Sequence, residues 1–293
     1  MVKEGRDDIA PLFTTERITP DIADELISVY EQQPRITGSR KQIGFDQISY
    51  RSTRFDNVPR RMNIPTPMGY ALLCKEVSAA WLNAELSRVE SNPSSSIKPQ
   101  RHADGRVFQL GEYEVEDSGR VVVMGGEDSF AESEQTIRVS AGKKYLVEAD
   151  IASFFPSIYT HALSWALVGV SEAKRLRNER DVWFNRIDIK QRGLKRNETL
   201  GLPIGPATSN ILGEAVLYPV DQQLRDMGFE FVRHIDDYKC YCNRLEDAER
   251  FIRELDFLLQ NYLLSLNAKK IDIRELPLPV NPGWVVDLRH RIT

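Results

Sequence analysis

The stretch from Phe229 to Cys242, FEFVRHIDDYKCYC, limits the possible folds more than any other part of the chain. Aromatic and β-branched runs flank the pair Asp236-Asp237, a pattern that predicts a β-hairpin with the acids at its tip. Adjacent side chains of a regular strand point to opposite faces, so both acids serve one site only where the backbone turns. Two carboxylates held that close repel one another unless a cation sits between them. Hard oxygen donors of this kind suit Mg²⁺. A solvated Asp-Asp turn is the plain alternative for the dipeptide alone, so the rest of the chain has to decide.

Tyr145 to Ile151 reads as a strand with Tyr145, Val147, Ala149 and Ile151 on one face and Leu146, Glu148 and Asp150 on the other. An Asp ending a hydrophobic strand is a common place for a metal ligand, and also for an acid that starts a helix. In the following SFFPSIYTH, Pro156 interrupts and Ser157 is expected to cap a helix running through Trp165. Phe154 and Phe155, taken alone, are core aromatics. Leu200 to Gly205, LGLPIG, is a turn able to bring backbone close to a ligand. A helix follows from Ala207 with Ile211, Ala215, Val216 and Val220 on one side, and its N-terminus favours phosphate. Beyond the acidic hairpin, Ala248, Phe251, Leu255, Leu258 and Tyr262 mark an amphipathic helix, and LSLNAKKIDI (Leu264 to Ile273) adds a lysine-bearing segment. This order predicts an α+β fold of split βαβ type, with helices on one face of an antiparallel sheet. Asp150 then falls beside Asp236 and Asp237 on adjacent central strands.

The first half of the chain is less specific. Thr19-Pro20 and Thr66-Pro67 open helices, the first carrying Ile22, Leu26 and Tyr30, the second Leu73, Val77 and Trp81. Between them Arg35 to Arg61 is basic, either a solvated irregular surface or a phosphate-contacting finger. Ser91 to Ser96 reads as a loop, Arg106 to Met124 as a hairpin around Asp117-Ser-Gly119, and Lys174 to Arg196 as a charged helix face and connector. With 293 residues and a net charge of −4, the chain has room for a sizeable core but is no polycation that coats nucleic acid. Any such contact must come from local basic patches. Cys74, Cys240 and Cys242 are odd in number and lack zinc spacing, as expected of reduced core thiols in a cytoplasmic protein. No apolar run is long enough to span a bilayer and the N-terminus is no signal peptide, so no membrane is expected.

Four segments in this order resemble the palm motifs of reverse transcriptases. They are ADIASFFPSIYTHALSWAL (Ala149 to Leu167), GLPIGPATSNILGEAVL (Gly201 to Leu217), RHIDDY (Arg233 to Tyr238) and LNAKKIDI (Leu266 to Ile273). Upstream, RRMNIPTPMGYALLCKEVSAAW (Arg60 to Trp81) is similar to a segment of the fingers, most closely in the bacterial abortive-infection and defence-associated group. The resemblance implies a right-hand polymerase core. Its fingers would span 45–144 and its RRM-like palm 145–285, after an N-terminal extension (1–44) and before a truncated tail (286–293), with the thumb absent.

The resemblance also implies roles. Asp150, Asp236 and Asp237 would bind two Mg²⁺ ions, for which Mn²⁺ can substitute; one ion activates the primer hydroxyl and one holds the triphosphate. Phe155 falls on the aromatic position that collides with a ribose 2′-hydroxyl, implying deoxynucleotide use. Pro203, Ile204, Gly205 and Ser209 lie where the family supports the incoming nucleotide and template, although typical retroviral enzymes carry Gln at the position of Ile204. Lys270 matches the lysine that protonates the pyrophosphate leaving group, and an ammonium near a developing oxyanion lowers a barrier in any case. Arg138 is a candidate for triphosphate contact, and Arg60 and Arg61 for primer or template. His234 either touches the primer end or is a hydrogen-bonded sheet histidine.

The function implied is RNA-directed DNA synthesis from dNTPs on an RNA template, in antiphage defence, with a non-coding RNA or partner defence proteins as candidate companions. Template-independent DNA synthesis, primed by protein, is an alternative within enzymes. An RNA-dependent RNA polymerase shares the palm, but Phe155 stands against it. An inactive palm scaffold binding RNA or an effector is the remaining alternative. Three intact acids speak against it, because each is an electrostatic burden without metal.

Overall fold

The computed structural model describes residues 20–32, 44–52, 59–83, 86–96, 99–101, 107–109 and 139–277. In chain order, helix α1 (Pro20–Gln32) precedes strands β1 (Gln47–Ser52) and β2 (Arg60–Pro65), and helix α2 (Pro67–Leu82) follows. A 3₁₀ turn (Ser87–Ser91) leads to strands β3 (Pro99–Arg101) and β4 (Val107–Gln109). Strand β5 (Tyr145–Asp150) opens the best-patterned part, with helices α3 (Phe154–Ser157), α4 (Thr160–Val168), α5 (Val170–Arg175), α6 (Trp183–Gly193) and α7 (Ala207–Asp226). The acidic hairpin follows as β6 (Phe231–His234) and β7 (Asp237–Cys242), then helix α8 (Leu245–Gln260), a 3₁₀ turn (Ala268–Lys270) and β8 (Asp272–Glu275).

The central sheet runs β6-β7-β5-β8, and every neighbouring pair is antiparallel. Its two faces differ as the alternation predicts. Val147 and Ala149 of β5 pair with Cys240 and Tyr238 of β7, and this buried row packs beneath α8. The rings of Phe231 and Tyr238 lie 5.9 and 6.4 Å from that of Phe251 on α8. The opposite face carries Glu148 and Lys239, then Asp150 and Asp237. Helix α8 forms because Ala248, Phe251, Leu255, Leu258 and Leu259 make one apolar stripe, and Glu246 and Asp247 complement the dipole of its first turn. Burying each large member of the stripe contributes about 1.5–3 kcal/mol. Helix α2 adds Leu73, Val77 and Trp81 to the same core.

Two expectations are corrected, and two others gain detail. The hairpin turn is displaced by one residue: His234 pairs with Asp237, so Ile235 and Asp236 form the tip and Asp237 begins β7. Ser157 does not cap the helix through Trp165. Its hydroxyl donates back to the carbonyls of Ala152 and Ser153, and a separate helix starts at Thr160. The loop expected at Ser91 to Ser96 is present, and its Ser94–Ser96 part lies along β6, with Arg233 N–H donating to Ser94 O at 2.7 Å and Ser96 N–H donating to Arg233 O at 2.9 Å. Val107–Gln109 pairs upstream with Pro99–Arg101; the Asp117-Ser-Gly119 turn lies outside the described residues. Cys74, Cys240 and Cys242 are buried and none is in a disulfide. Among the described residues no helix is long and apolar enough to cross a membrane.

Candidate active site

Sheet register brings the acids together. Asp150 ends β5 directly opposite Asp237, and Ile151 N–H donates to Asp236 O at 3.2 Å, tying the hairpin tip to the end of that strand. Ile235, between His234 and Asp236, has φ 55°. Such a conformation costs a residue other than glycine about 1–3 kcal/mol, and β-branched residues rarely adopt it.

Asp150 is only 8% exposed. Its Oδ2 accepts from Lys270 Nζ at 2.7 Å and its Oδ1 from Asn267 Nδ2 at 3.2 Å. Asn267 N–H also donates to the Asp150 carbonyl at 2.8 Å. Burial, followed by the charges of Asp237 and Asp150, pushes Asp236 up to about 6. Burial likewise raises Asp237, with the charge of Asp150 and a hydrogen bond to it adding to the effect. The hydrogen bond to Asp150 raises Lys270. The folded chain therefore disfavours the charged forms of both hairpin acids, and a cation between the carboxylates would reverse that.

As they stand, no three His, Cys, Asp or Glu side chains among the described residues close into a metal-holding set, and Asp150 turns an oxygen to Lys270 instead. The donor chemistry nevertheless fits a hard divalent ion. All three groups are carboxylates, and their shared defect is an excess of negative charge.

The residues expected to meet a nucleotide are spread around this centre. Phe154 is buried in the core, whereas Phe155 is half-buried. A Cβ on Gly213 of α7 would lie 3.0 Å from the Phe154 ring and 3.3 Å from the Phe155 ring, so the glycine makes room for both. Leu202 N–H donates to Phe155 O at 2.8 Å, and Asn63 N–H of β2 donates to Ile204 O at 2.9 Å. The Gly-rich loop is thus held between α3 and the β1–β2 hairpin. Gly201 is required there, because at φ 88° a Cβ would meet Pro156 O at 2.9 Å. Pro203 is buried and Gly205 takes φ 123°. Ser209 is 2% exposed with a buried, unbonded hydroxyl, so its side chain faces the interior.

A cleft of about 480 Å³ opens between the β1–β2 hairpin, Pro156 and the loop from Gly201 to Ile204. Arg61, Lys195 and Arg196 give its wall positive charge, offset by Asp46 and Glu198. Arg61 Nη2 donates to Ser49 Oγ at 3.1 Å, whose hydroxyl donates to Asn63 Oδ1 at 2.8 Å. Arg60 is exposed on the same strand. His234 is a hydrogen-bonded sheet histidine, its Nδ1 lying 3.0 Å from Ser96 Oγ. Arg138 lies outside the described residues. Sequence reasoning missed Asn267, Asn63 and Ser96. Only Asn267 carries a local signal, since its side chain accepts from Lys269 N–H as an Asx turn does.

The family model for reverse transcriptase (RNA-dependent DNA polymerase) matches residues 72–280. The chain belongs to the reverse transcriptase family. The match takes in most of α2 and the whole central sheet, including Asp150 and the acidic hairpin. Telomerases are among the solved structures similar to this chain at low identity. Apo telomerase from Candida tropicalis, truncated from its C-terminal domain, is 11% identical, with 92% of this chain and 57% of that one covered at a TM-score of 0.49. Telomerase from Candida albicans in complex with a TWJ fragment of telomeric RNA is also 11% identical, covering 92% and 49% at a TM-score of 0.47. This chain spans about half the length of those telomerase chains. No curated protein matches the sequence.

Proposed function

We propose that this reverse transcriptase family member is an RNA-directed DNA polymerase whose active centre is Asp150, Asp236 and Asp237. The observation that carries the reading is the register pairing of Asp150 with Asp237, with Asp236 in the adjoining turn. The three carboxylates would hold Mg²⁺, with Mn²⁺ as a substitute. Bound there, two such ions would activate the primer hydroxyl and neutralise the triphosphate.

The chain's own groups supply the rest. Lys270, on a flexible four-carbon stem, can leave Asp150 and bring its proton to the departing pyrophosphate. Phe155 lies against the sugar, and its half-buried ring excludes a 2′-hydroxyl. Ile204 and the Gly205 turn back the nucleotide and template, while Arg60 and Arg61 meet phosphates beside the cleft. Residues 45–144 act as fingers and 145–285 as palm. A cytoplasmic role in bacterial antiphage defence, with a non-coding RNA or partner proteins, follows the motif resemblance.

The test is incorporation of each labelled dNTP with Mg²⁺, with and without a primed RNA template, beside the double variant Asp236→Ala/Asp237→Ala. Template-dependent product that the double variant lacks supports the reading. Product without template, equally lost in the variant, favours untemplated synthesis. The apolar side chain of Ile204 on the cleft wall supports that second reading, because it offers a template base no hydrogen bond.

Phe155→Ala is expected to raise ribonucleotide relative to deoxynucleotide incorporation by about 10–200-fold, the range one small group discriminates in a packed pocket. Competition between labelled rNTP and dNTP measures it, and an unchanged ratio removes Phe155 from sugar selection. The ring is half-buried, so the fold should lose less than the ~3–5 kcal/mol of a fully buried phenylalanine.

A further inference from the structure

Behind the acidic hairpin lies a polar network absent from the chemistry above. Glu214 and Asp221 stand seven residues apart on α7, two turns along one face. They are 3% and 0% exposed, and between them lies Arg233 of β6, 0% exposed. Every guanidinium donor is used. Nε donates to Asp221 Oδ1 and Oδ2 at 3.2 and 2.9 Å, and Nη2 donates to Glu214 Oε2 at 2.9 Å and Asp221 Oδ2 at 2.7 Å. Nη1 donates to Glu214 Oε1 at 2.8 Å and, with its other hydrogen, to the backbone carbonyl of Ile235 at 2.7 Å.

That last contact is the informative one. A buried ion cluster is no better for stability than well-packed apolar side chains, but apolar side chains could not hold a carbonyl. The carbonyl belongs to the left-handed residue that precedes Asp236. Tyr238, just after Asp237, donates its hydroxyl to Asp221 Oδ1 at 2.9 Å. Both sides of the acid pair are therefore anchored to one carboxylate on α7. The far side of that carboxylate is closed by Asn92, whose Nδ2 donates to Asp221 Oδ2 at 2.7 Å.

We propose that Arg233 is a positioning residue: from its seat between Glu214 and Asp221 it holds Ile235 in the left-handed turn that presents Asp236 and Asp237 to the active centre. The inference rests on the polymerase reading of that centre. It requires a planar fork with five donors, which lysine lacks.

The test uses the full chain with Arg233→Lys and Arg233→Lys/Ile235→Gly. Three readouts are taken: hydrogen exchange across residues 234–238, Mn²⁺ affinity by electron paramagnetic resonance, and kcat against KM for dNTP. Arg233→Lys should speed exchange at this turn alone, weaken Mn²⁺ binding about tenfold, and lower kcat with KM unchanged. Glycine adopts positive φ freely, so the double variant should recover part of the Mn²⁺ affinity and of kcat. Exchange that stays at the wild-type rate, or that rises through the whole sheet, overturns the proposal, as does a folded double variant with no recovery. If Arg233→Lys does not fold, Glu214→Gln replaces it, and unchanged turn exchange in that variant also overturns the proposal. Exchange reports the turn whether or not DNA is made. A wild type that neither polymerises nor binds Mn²⁺ therefore sinks only the polymerase reading.

Discussion

Asp150→Asn is expected to reduce nucleotide incorporation about 10³-fold or more while leaving the chain folded, since a bound cation contributes several kcal/mol to such a transfer. Asparagine has the shape of aspartate and keeps an oxygen that can accept from Lys270 Nζ, now 2.7 Å from Oδ2. The strand pairing with Asp237 and the Asn267 contact to the Asp150 carbonyl are made by backbone and stay in place. What is lost is the charge and, with an amide nitrogen in place of Oδ1, the 3.2 Å hydrogen bond from Asn267 Nδ2. The charge is lost from the member of the trio that shares a face with Asp237. Single-turnover rates beside melting temperatures make the measurement. A folded Asn variant within tenfold of wild type would take the metal-holding role away from Asp150.

Asp221→Ala should destabilise the chain by ~3–5 kcal/mol, the usual cost of breaking a buried charge pair. That corresponds to a fall in melting temperature on the order of 10 °C. Burial works against the charge on Arg233, yet Asp221 and Glu214 more than offset it and hold the guanidinium protonated. Without Asp221, Arg233 Nε, the Tyr238 hydroxyl and Asn92 Nδ2 lose their acceptor inside the core. Glu246→Ala is the control. It removes an exposed partner of Arg244 at 3.2 Å and one of two acids in the first turn of α8, so the melting temperature should fall by only about 2–4 °C. Equal melting behaviour of the two variants would mean that the cluster is hydrated and carries no structural load.

The acidic hairpin, the β5 strand and the α8 stripe were legible because each follows a simple period, two for strands and 3.6 for helices. Their pairing was legible because motif order leaves few topologies for three acids to meet. The turn was misplaced by one residue for a physical reason. Asp tolerates left-handed backbone and isoleucine does not, so local preference put the tip at Asp236-Asp237. The Arg233 hydrogen bond to the Ile235 carbonyl works against that preference. Serine favours a cap position, which is why the sequence suggests one at Ser157, but its hydroxyl is used by the preceding turn. The pairing of Ser94–Ser96 with Arg233 has no local pattern at all, since the partners lie far apart in sequence. Nothing in the local sequence marks Glu214 and Asp221, which the fold turns inward.

The joint between the β1–β2 hairpin and the Gly-rich loop is made by main chain, from the amide of Asn63 to the carbonyl of Ile204. Almost any pair of side chains at these positions preserves such a bond. Position 204 can therefore change its chemistry without loosening this joint at the cleft wall. Attachment and side-chain chemistry are written in different atoms of one residue, and so can evolve separately.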